Sequence, residues 1–300
     1  MHPLVKAGVA LAGAGAAGLV YGAGYEVRAY TLRRIDVPVL PRGARPLRVL
    51  HVSDLHLTPG QSDKQRWVRD LAALEPHLVV NTGDNLAHPQ SVGPVVDALG
   101  PLLDMPGVFV LGSNDYYAPI LKNPARYLMP SGQDLTRRGT VLPWRELRDI
   151  FVARGWTDLT NRRSRLELGG LRLAFAGVDD PHLKYDDLDA VAGPAEPDAD
   201  LRVGVTHAPY LRVLDAFTGD GYDITFAGHT HGGQLVLPLL GALVTNCDID
   251  TARVKGLHQH VASGRRSYLH VSAGLGTSPY APVRFCCRPE ATLVTLLPVS

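Results

Sequence analysis

Five short segments carry side chains able to bind divalent cations, and each follows a short apolar run. They are Asp54-Leu-His56 after 50–52, Gly83-Asp84-Asn85 after 79–80, Gly112-Ser113-Asn114-Asp115 after 108–111, Thr206-His207-Ala-Pro209 after 203–205, and Gly228-His229-Thr-His231-Gly-Gly-Gln234 after 224–227. Asp and His are costly at the ends of buried strands unless a partner compensates them, and a divalent metal is the strongest such partner. Carboxylates, imidazoles and an amide form a mixed N/O set that suits Mn, Fe or Zn, while the lack of thiolates argues against a structural zinc site. So many candidate ligands exceed one four-coordinate site. Two cations sharing a carboxylate would use them, an arrangement that activates water and clamps oxygens in phosphoryl transfer. Taken singly, Asp-x-His is common and Gly-Asp-Asn reads as a turn. Gly-His-Thr-His-Gly-Gly is more specific, because in extended backbone its two imidazoles point the same way and the glycines allow close approach.

Strand-end loops are where layered α/β folds place their sites, so the apolar runs must be strands. Residues 47–52, 78–80 and 108–111 read as strands, with helical spacing at 64–74 and at 92–103 between them. This βαβαβ start argues for an α/β domain. Residues 119–143 look like an insertion with little regular structure, and 144–154 like a helix. Further strands are expected at 165–168 and 171–176 around a Gly169-Gly170 turn, then at 203–206, 224–227, 234–237, 268–272 and 292–297. The acidic stretch 186–200 reads as a surface helix and loop. The expected catalytic domain, 47–300, contains two packed mixed sheets.

The chain has 300 residues, 45% of them hydrophobic and 20% charged, which excludes a wholly disordered chain. Lys plus Arg number 30 and Asp plus Glu 29, so the net charge is +1 and no basic footprint for nucleic acid exists. The three cysteines, Cys247, Cys286 and Cys287, give no disulfide framework and no Cys-x-x-Cys knuckle. Residues 7–25 are uncharged, about the length of a bilayer-spanning helix, although rich in glycine. Residues 1–28 are therefore expected to be a membrane anchor, with a cleaved signal-like segment and a frayed soluble terminus as alternatives. Arg28, Arg33 and Arg34 downstream favour a cytoplasmic face for the domain. Residues 29–46, with Pro38, Pro41 and Gly43, read as an extended linker.

As an ordered set, Asp-x-His, Gly-Asp-Asn, a Gly-Asn-His-Asp-like turn, a lone His and Gly-His-x-His resemble the calcineurin-like metallophosphoesterase superfamily. The run Gly-His-Thr-His-Gly-Gly-Gln, the ending Ser272-Ala-Gly-Leu-Gly-Thr-Ser278 and Val283-Arg-Phe-Cys-Cys-Arg-Pro-Glu290 resemble its bacterial YkuE-like branch. The resemblance covers about 47–297. It implies a four-layer fold of two packed mixed β-sheets flanked by helices, after the N-terminal membrane helix. It also implies two divalent metal ions, Mn²⁺ foremost, with Fe or Zn as alternatives. Asp54, His56 and His231 would hold one ion, Asp84 would bridge, and His207, His229 and a residue of the third segment would hold the other. A metal-bridging hydroxide would attack phosphorus in line.

The third segment departs from the pattern. Gapless alignment puts Ser113 at the ligand position and Asn114 where the family has a His that serves the leaving group. An amide oxygen is the better ligand, which favours Asn114 over Ser113 as the ligand. Either way the acid is absent, since an amide donates no proton near neutral pH. Good leaving groups would suffer least, so a phosphodiester or pyrophosphate is expected. A lipid-linked substrate at the cell envelope, of the UDP-2,3-diacylglucosamine kind, is one option and a phosphorylated small molecule another. The rival reading is a non-catalytic, membrane-tethered metal or phospho-ligand binder. His51 and His182 are candidate replacement acids, each with a structural alternative. Asn85 and Tyr116 are candidate substrate contacts, with Tyr117 beside them and core packing as the alternative for both tyrosines. His258 and His260 read as solvated loop residues, and Cys286-Cys287 as strand packing.

Overall fold

The computed structural model describes residues 2, 13, 15–121 and 138–300. The insertion expected at 119–143 lies largely outside these residues, as does much of the expected anchor. The elements run β1 (Thr31–Leu40), β2 (Leu47–Val52), α1 (Ser62–Asp70), β3 (Leu78–Asn81), α2 (Val92–Leu99), β4 (Gly107–Phe109) and the single turn α3 (Ser113–Tyr116). They continue with α4 (Trp144–Ala153), β5 (Thr157–Asp158), β6 (Arg162–Leu168), β7 (Leu171–Gly177), β8 (Leu201–Val205), α5 (Leu211–Asp220) and β9 (Ile224–Ala227). The last are β10 (Val236–Leu237), β11 (Gly241–Ala242), β12 (Gly256–Ala262), β13 (Arg265–Val271) and β14 (Glu290–Pro298).

Two six-stranded mixed sheets form the centre, ordered β1-β14-β2-β3-β4-β5 and β12-β13-β9-β8-β7-β6. Their inner faces meet in one core. Val49, Leu78, Val80 and Val108 of the first sheet pack in it with Phe175, Val203, Ile224 and Phe226 of the second. The outer face of the first sheet is covered by α1, α2 and α4 through Val68, Val95, Leu99, Leu147 and Phe151. The second is covered by α5 through Val213, Leu214 and Phe217. These are the expected four layers: helices, sheet, sheet, helix.

Within each sheet the central strands are parallel: β2, β3 and β4 in one, β7, β8, β9 and β13 in the other. Their carboxyl ends therefore lie along one edge, and the five ligand-bearing segments leave from there.

Two expectations need correction. Residues 29–46 are not a free linker, because Thr31–Leu40 is strand β1, parallel to β14 from Thr31↔Glu290 to Pro38↔Leu297. Val37 and Leu40 are buried in the inter-sheet core. His258 and His260 lie in strand β12 rather than a loop, and buried His260 sits 2.7 Å from Asp215 Oδ1.

Residues 15–20 are helical and Tyr21–Tyr25 continue as one π-turn. Among the described residues no helix is long and apolar enough to cross a membrane. This segment docks on 283–287: Arg284 N donates to Gly22 O (3.3 Å), and the Tyr21 ring meets Phe285 edge-on. The buried Glu26 carboxylate accepts from the amides of Cys286 and Cys287.

Candidate metal centre

Asp54, His56, Asp84 and His231 present one ligand atom each within 4.8 Å of one another. His56 Nε2 lies 3.3 Å from Asp84 Oδ2, and His231 Nε2 lies 3.9 Å from Asp54 Oδ1. A second group meets the other side of Asp84. His207 Nε2 is 3.5 Å from Asp84 Oδ1, and His229 Nδ1 is 3.2 Å from His207 Nε2. Asn114 reaches Asp84 twice, its backbone amide donating to Oδ1 (2.7 Å) and its carboxamide Nδ2 to Oδ2 (2.8 Å). Asp84 thus stands between the two groups.

The backbone is bent to make this possible. Asp54, His56, Asp84, His229 and His231 all have positive φ, between 41° and 70°. Such conformations cost of order 1–3 kcal/mol each and persist where the surroundings over-determine them. Here Asp54, His56 and Asp84 leave their strands by a left-handed step that turns each side chain toward the common centre. Glycines supply the room. A Cβ on Gly112 would lie 2.6 Å from the His207 ring and collide with Asp84 Oδ1, and one on Gly274 would lie 2.5 Å from Asp54 Cβ.

Ring orientation is set by backbone carbonyls. His207 Nδ1 donates to Thr82 O (2.7 Å), His231 Nδ1 to Gly276 O (3.1 Å) and His229 Nε2 to Asn246 O (3.2 Å). A carbonyl accepts only, so each bond places the proton outward and turns the other ring nitrogen inward, the tautomer that a metal ligand needs. Among the described residues His56 has no hydrogen-bond partner at either ring nitrogen, although both are buried. Buried polar atoms without partners are rare in native folds, and a cation would satisfy this one.

Burial pushes Asp54 up to about 7, against the pull of His207. Burial also acts to raise Asp84, but His207, His56 and the Asn114 hydrogen bonds outweigh it and hold the carboxyl at about 2. Burial acts to lower His207, yet Asp84, Asp180 and Asp54 carry it up to about 9. His56 is lowered to about 4, chiefly by burial. The pocket is therefore anionic at Asp84, with His207 beside it favouring the charged form.

Ser113 and Asn114 diverge. The Ser113 hydroxyl donates to buried Asp180, whereas Asn114 lies against Asp84. The two expected substrate contacts are not at the centre. Asn85 is buried and paired with the Asn81 carboxamide, its backbone amide donating to Asp115. The Tyr116 hydroxyl is buried and donates to the Asp179 carboxylate (2.8 Å), which is the core-packing alternative. His51 points away, into a buried pair with His270 (Nδ1 to Nδ1, 2.8 Å) and onto Thr82. His182 approaches: its ring centroid is 4.5 Å from that of His229, and its Nδ1 is 3.1 Å from the Tyr210 hydroxyl.

Sequence reasoning passed over three supporting residues. Asp115 accepts from the amides of Asp84, Asn85 and Gly112 at 2.8–2.9 Å, locking the second loop to the third. Its bond to the Gly112 amide is the N3 half of a capping box, the other half being absent because glycine has no side chain. Arg284 is fully buried and donates to the carbonyls of Ala273, Gly274 and Gly276, with a longer bond to His231 O. Lys64 is buried and donates to Leu55 O (2.8 Å), next to His56. Arg284 falls within the run 283–290 that carries the resemblance, but nothing in that run assigns it this role, and Lys64 has no sequence signal.

Comparison with known proteins agrees with the site. The calcineurin-like phosphoesterase family pattern matches residues 47–233. The chain is 26% identical to the uncharacterized metallophosphoesterase YkuE of Bacillus subtilis, over 95% of this chain and 94% of that one. It is 27% identical to the phosphodiesterase YaeI of Escherichia coli, over 85% and 83%. It is also 27% identical to a Bos taurus transmembrane protein with metallophosphoesterase domain, over 87% of this chain and 56% of that one.

Proposed function

We propose a two-cation mechanism for this chain, which belongs to the calcineurin-like phosphoesterase family and is a phosphoester hydrolase. One divalent ion would be held by Asp54, His56, Asp84 and His231, the other by Asp84, Asn114, His207 and His229. The observation that carries this reading is the position of Asp84, with His56 Nε2 3.3 Å from one of its oxygens and His207 Nε2 3.5 Å from the other. When bound, such a pair supplies an activated water and neutralises charge developing on the phosphoryl oxygens. Mn²⁺ suits the mixed oxygen and nitrogen donors, as do Fe and Zn.

The residues of the chain prepare the site. The carbonyls of Thr82, Gly276 and Asn246 hold three imidazoles in the ligating tautomer, and Asp115 fixes the loop on which Asp84 rides. Asn114 would offer its amide oxygen to the second ion if its carboxamide were turned over, so that Oδ1 stood where Nδ2 now meets Asp84. Asp180 occupies the Ser113 hydroxyl and keeps it from competing.

With an amide at 114, no imidazole stands where the family places its leaving-group acid. The substrate is therefore a phosphodiester or pyrophosphate with a good leaving group, a nucleoside phosphate or aryl oxide in class. The name of the E. coli relative supports a diester. The uncharged run 7–25, together with the name of the bovine relative, supports attachment to a membrane, where a lipid-linked phosphoester is within reach.

Purified chain given Mn²⁺ should hydrolyse bis-p-nitrophenyl phosphate, and Asp84→Ala should reduce the rate to background. Survival of activity in Asp84→Ala refutes the bridging assignment. A chain that binds two equivalents of metal yet turns over no phosphoester is a binder instead.

A further inference from the structure

The β10–β11 hairpin leaves the metal centre and returns to it. It starts two residues beyond His231, where Gly233 packs tightly on Ala242 and lies against Val244 O. It ends near Asn246, whose carbonyl orients His229. Between these points the chain reads Leu235-Val-Leu-Pro-Leu-Leu-Gly-Ala-Leu-Val244, and residues 232–247 carry no charge. The tip is bare. Leu239 is fully exposed and Leu240 is 77% exposed, with Leu235 and Leu243 also on the surface. Isolated exposed leucines are ordinary, but four on one short hairpin form a patch of the kind that marks a protein or membrane contact.

The surroundings identify the occupant. The hairpin is bonded to the same loop that receives the N-terminal segment: Val236 N donates to Phe285 O, and Phe285 N donates to Gln234 O. The Tyr21 ring also meets Phe285, and a Cβ built on Gly18 would lie 3.6 Å from the Phe285 ring. Leu19, Val20, Tyr21 and Tyr25 are all exposed there. The bare hairpin is therefore continuous, through Phe285, with the end of the 19-residue uncharged run. Exposed Arg28 and Arg288 flank this junction, and tyrosines and arginines beside an apolar surface are the composition of a bilayer interface.

We infer that the hairpin spanning 235–243 docks in a lipid bilayer, with Leu239 and Leu240 among the acyl chains beside the N-terminal segment. From Gly233 to Leu239 is six residues, which reach at most roughly 20 Å when fully extended. The hairpin thus holds the metal centre within that distance of its membrane contact, close to the plane of the headgroups. Both of its ends touch backbone that positions His229 and His231, so docking and site geometry share one segment. The inference extends the membrane attachment proposed above and does not depend on the catalytic reading.

The test uses the full chain carrying Leu239→Trp, mixed with phosphatidylcholine–phosphatidylglycerol vesicles whose acyl chains are brominated near the headgroup end. Wild type sets the background from Trp67, Trp144 and Trp156. Val261→Trp, at an exposed position on β12, in a different sheet from the hairpin, is the comparison. The emission added by Leu239→Trp should fall by at least half, and that added by Val261→Trp should not change. Leu240→Trp repeats the reading at the adjacent position. Equal emission with and without bromine at both hairpin positions overturns the inference. So does a concentration-dependent dimer that Leu239→Asp dissolves, which would make this face a contact between copies. An inactive chain that is still quenched at the hairpin leaves this inference standing and removes only the catalytic one.

Discussion

Gly112→Ala tests the metal centre without removing any ligand. The backbone tolerates alanine here, because Gly112 has φ −121° and ψ 175°, an ordinary extended conformation. The added methyl is the only change, and it points into the site. It would lie 2.6 Å from both Cε1 and Nδ1 of His207 and closer still to Asp84 Oδ1, where real Cβ contacts below 3.0 Å essentially never occur. The His207 ring must retreat by at least about 0.4 Å, and the Asp84 carboxylate by more. Both are proposed ligands, metal–ligand distances tolerate only about ±0.2 Å, and misplacing reacting groups by about 1 Å costs on the order of 10²-fold in rate. The expected result is a loss of roughly 10²-fold in kcat/KM on bis-p-nitrophenyl phosphate, with a lower metal content by elemental analysis. Overpacking should cost only about 1–3 kcal/mol in stability, so the variant should still fold. Gly93→Ala is the matched control. That glycine is exposed in α2 with nothing within 4 Å of a Cβ, so the change should leave the rate alone and stabilise by up to about 1 kcal/mol. If Gly112→Ala keeps its rate within threefold and its full metal content, the ligand role of Asp84 and His207 is refuted.

Three further outcomes are expected. Asn114→Ala should lose the equivalent of metal held beside His207, whereas Ser113→Ala should keep both and cost about 1 kcal/mol for the lost bond to Asp180; plasma emission analysis of the loaded variants separates the two. Burial lowers His270 to about 3 and His51 well below its ordinary value, so the unfolded chain binds protons at both sites that the folded chain refuses. Their contribution is fully present above about pH 6.5 and is lost as pH falls toward the folded values, at up to about 1.4 kcal/mol per unit for each ring. His270→Asn should therefore flatten the fall in unfolding free energy between about pH 6.5 and 4.5 by about 2 kcal/mol, and denaturant titrations that run parallel to wild type would contradict this. Finally, rates of the wild-type chain on aryl phosphodiesters should fall steeply as leaving-group pKa rises, and a flat dependence would reveal an acid that the reading above denies.

The layers and the converging segments were legible because burial imposes them. Strands β2, β3, β4, β8 and β9 are near-continuous apolar runs, and Asp or His directly after such a run has few innocent explanations. Strand β1 was not legible. It is an edge strand, half exposed, and carries Arg33, Arg34, Asp36 and Pro38, the charges and proline that blunt sheet edges and that also characterise linkers. His260 reads as a loop residue for a related reason, since β12 is an edge strand of the second sheet and its polar face resembles a loop. Asn85 and Tyr116 sit beside candidate ligands in sequence yet turn inward, because side-chain direction in a tight turn depends on φ and ψ, which spacing does not encode. Arg284 was beyond sequence reasoning, as its carbonyl partners come from loops up to 53 residues away.

The pairing of the first strand with the last bears on how the protein can be cut. The family pattern begins at residue 47, which invites a shorter recombinant chain starting there. That truncation would strip β14 of its parallel partner along its whole length, leaving it paired with β2 alone, and remove Val37 and Leu40 from between the sheets. The nine residues Glu290–Pro298 would then offer a row of open amides and carbonyls to any neighbour in solution. A soluble, monodisperse preparation should start upstream of Thr31; one that starts later is a recipe for sticky, self-associating material whose inactivity would say nothing about chemistry.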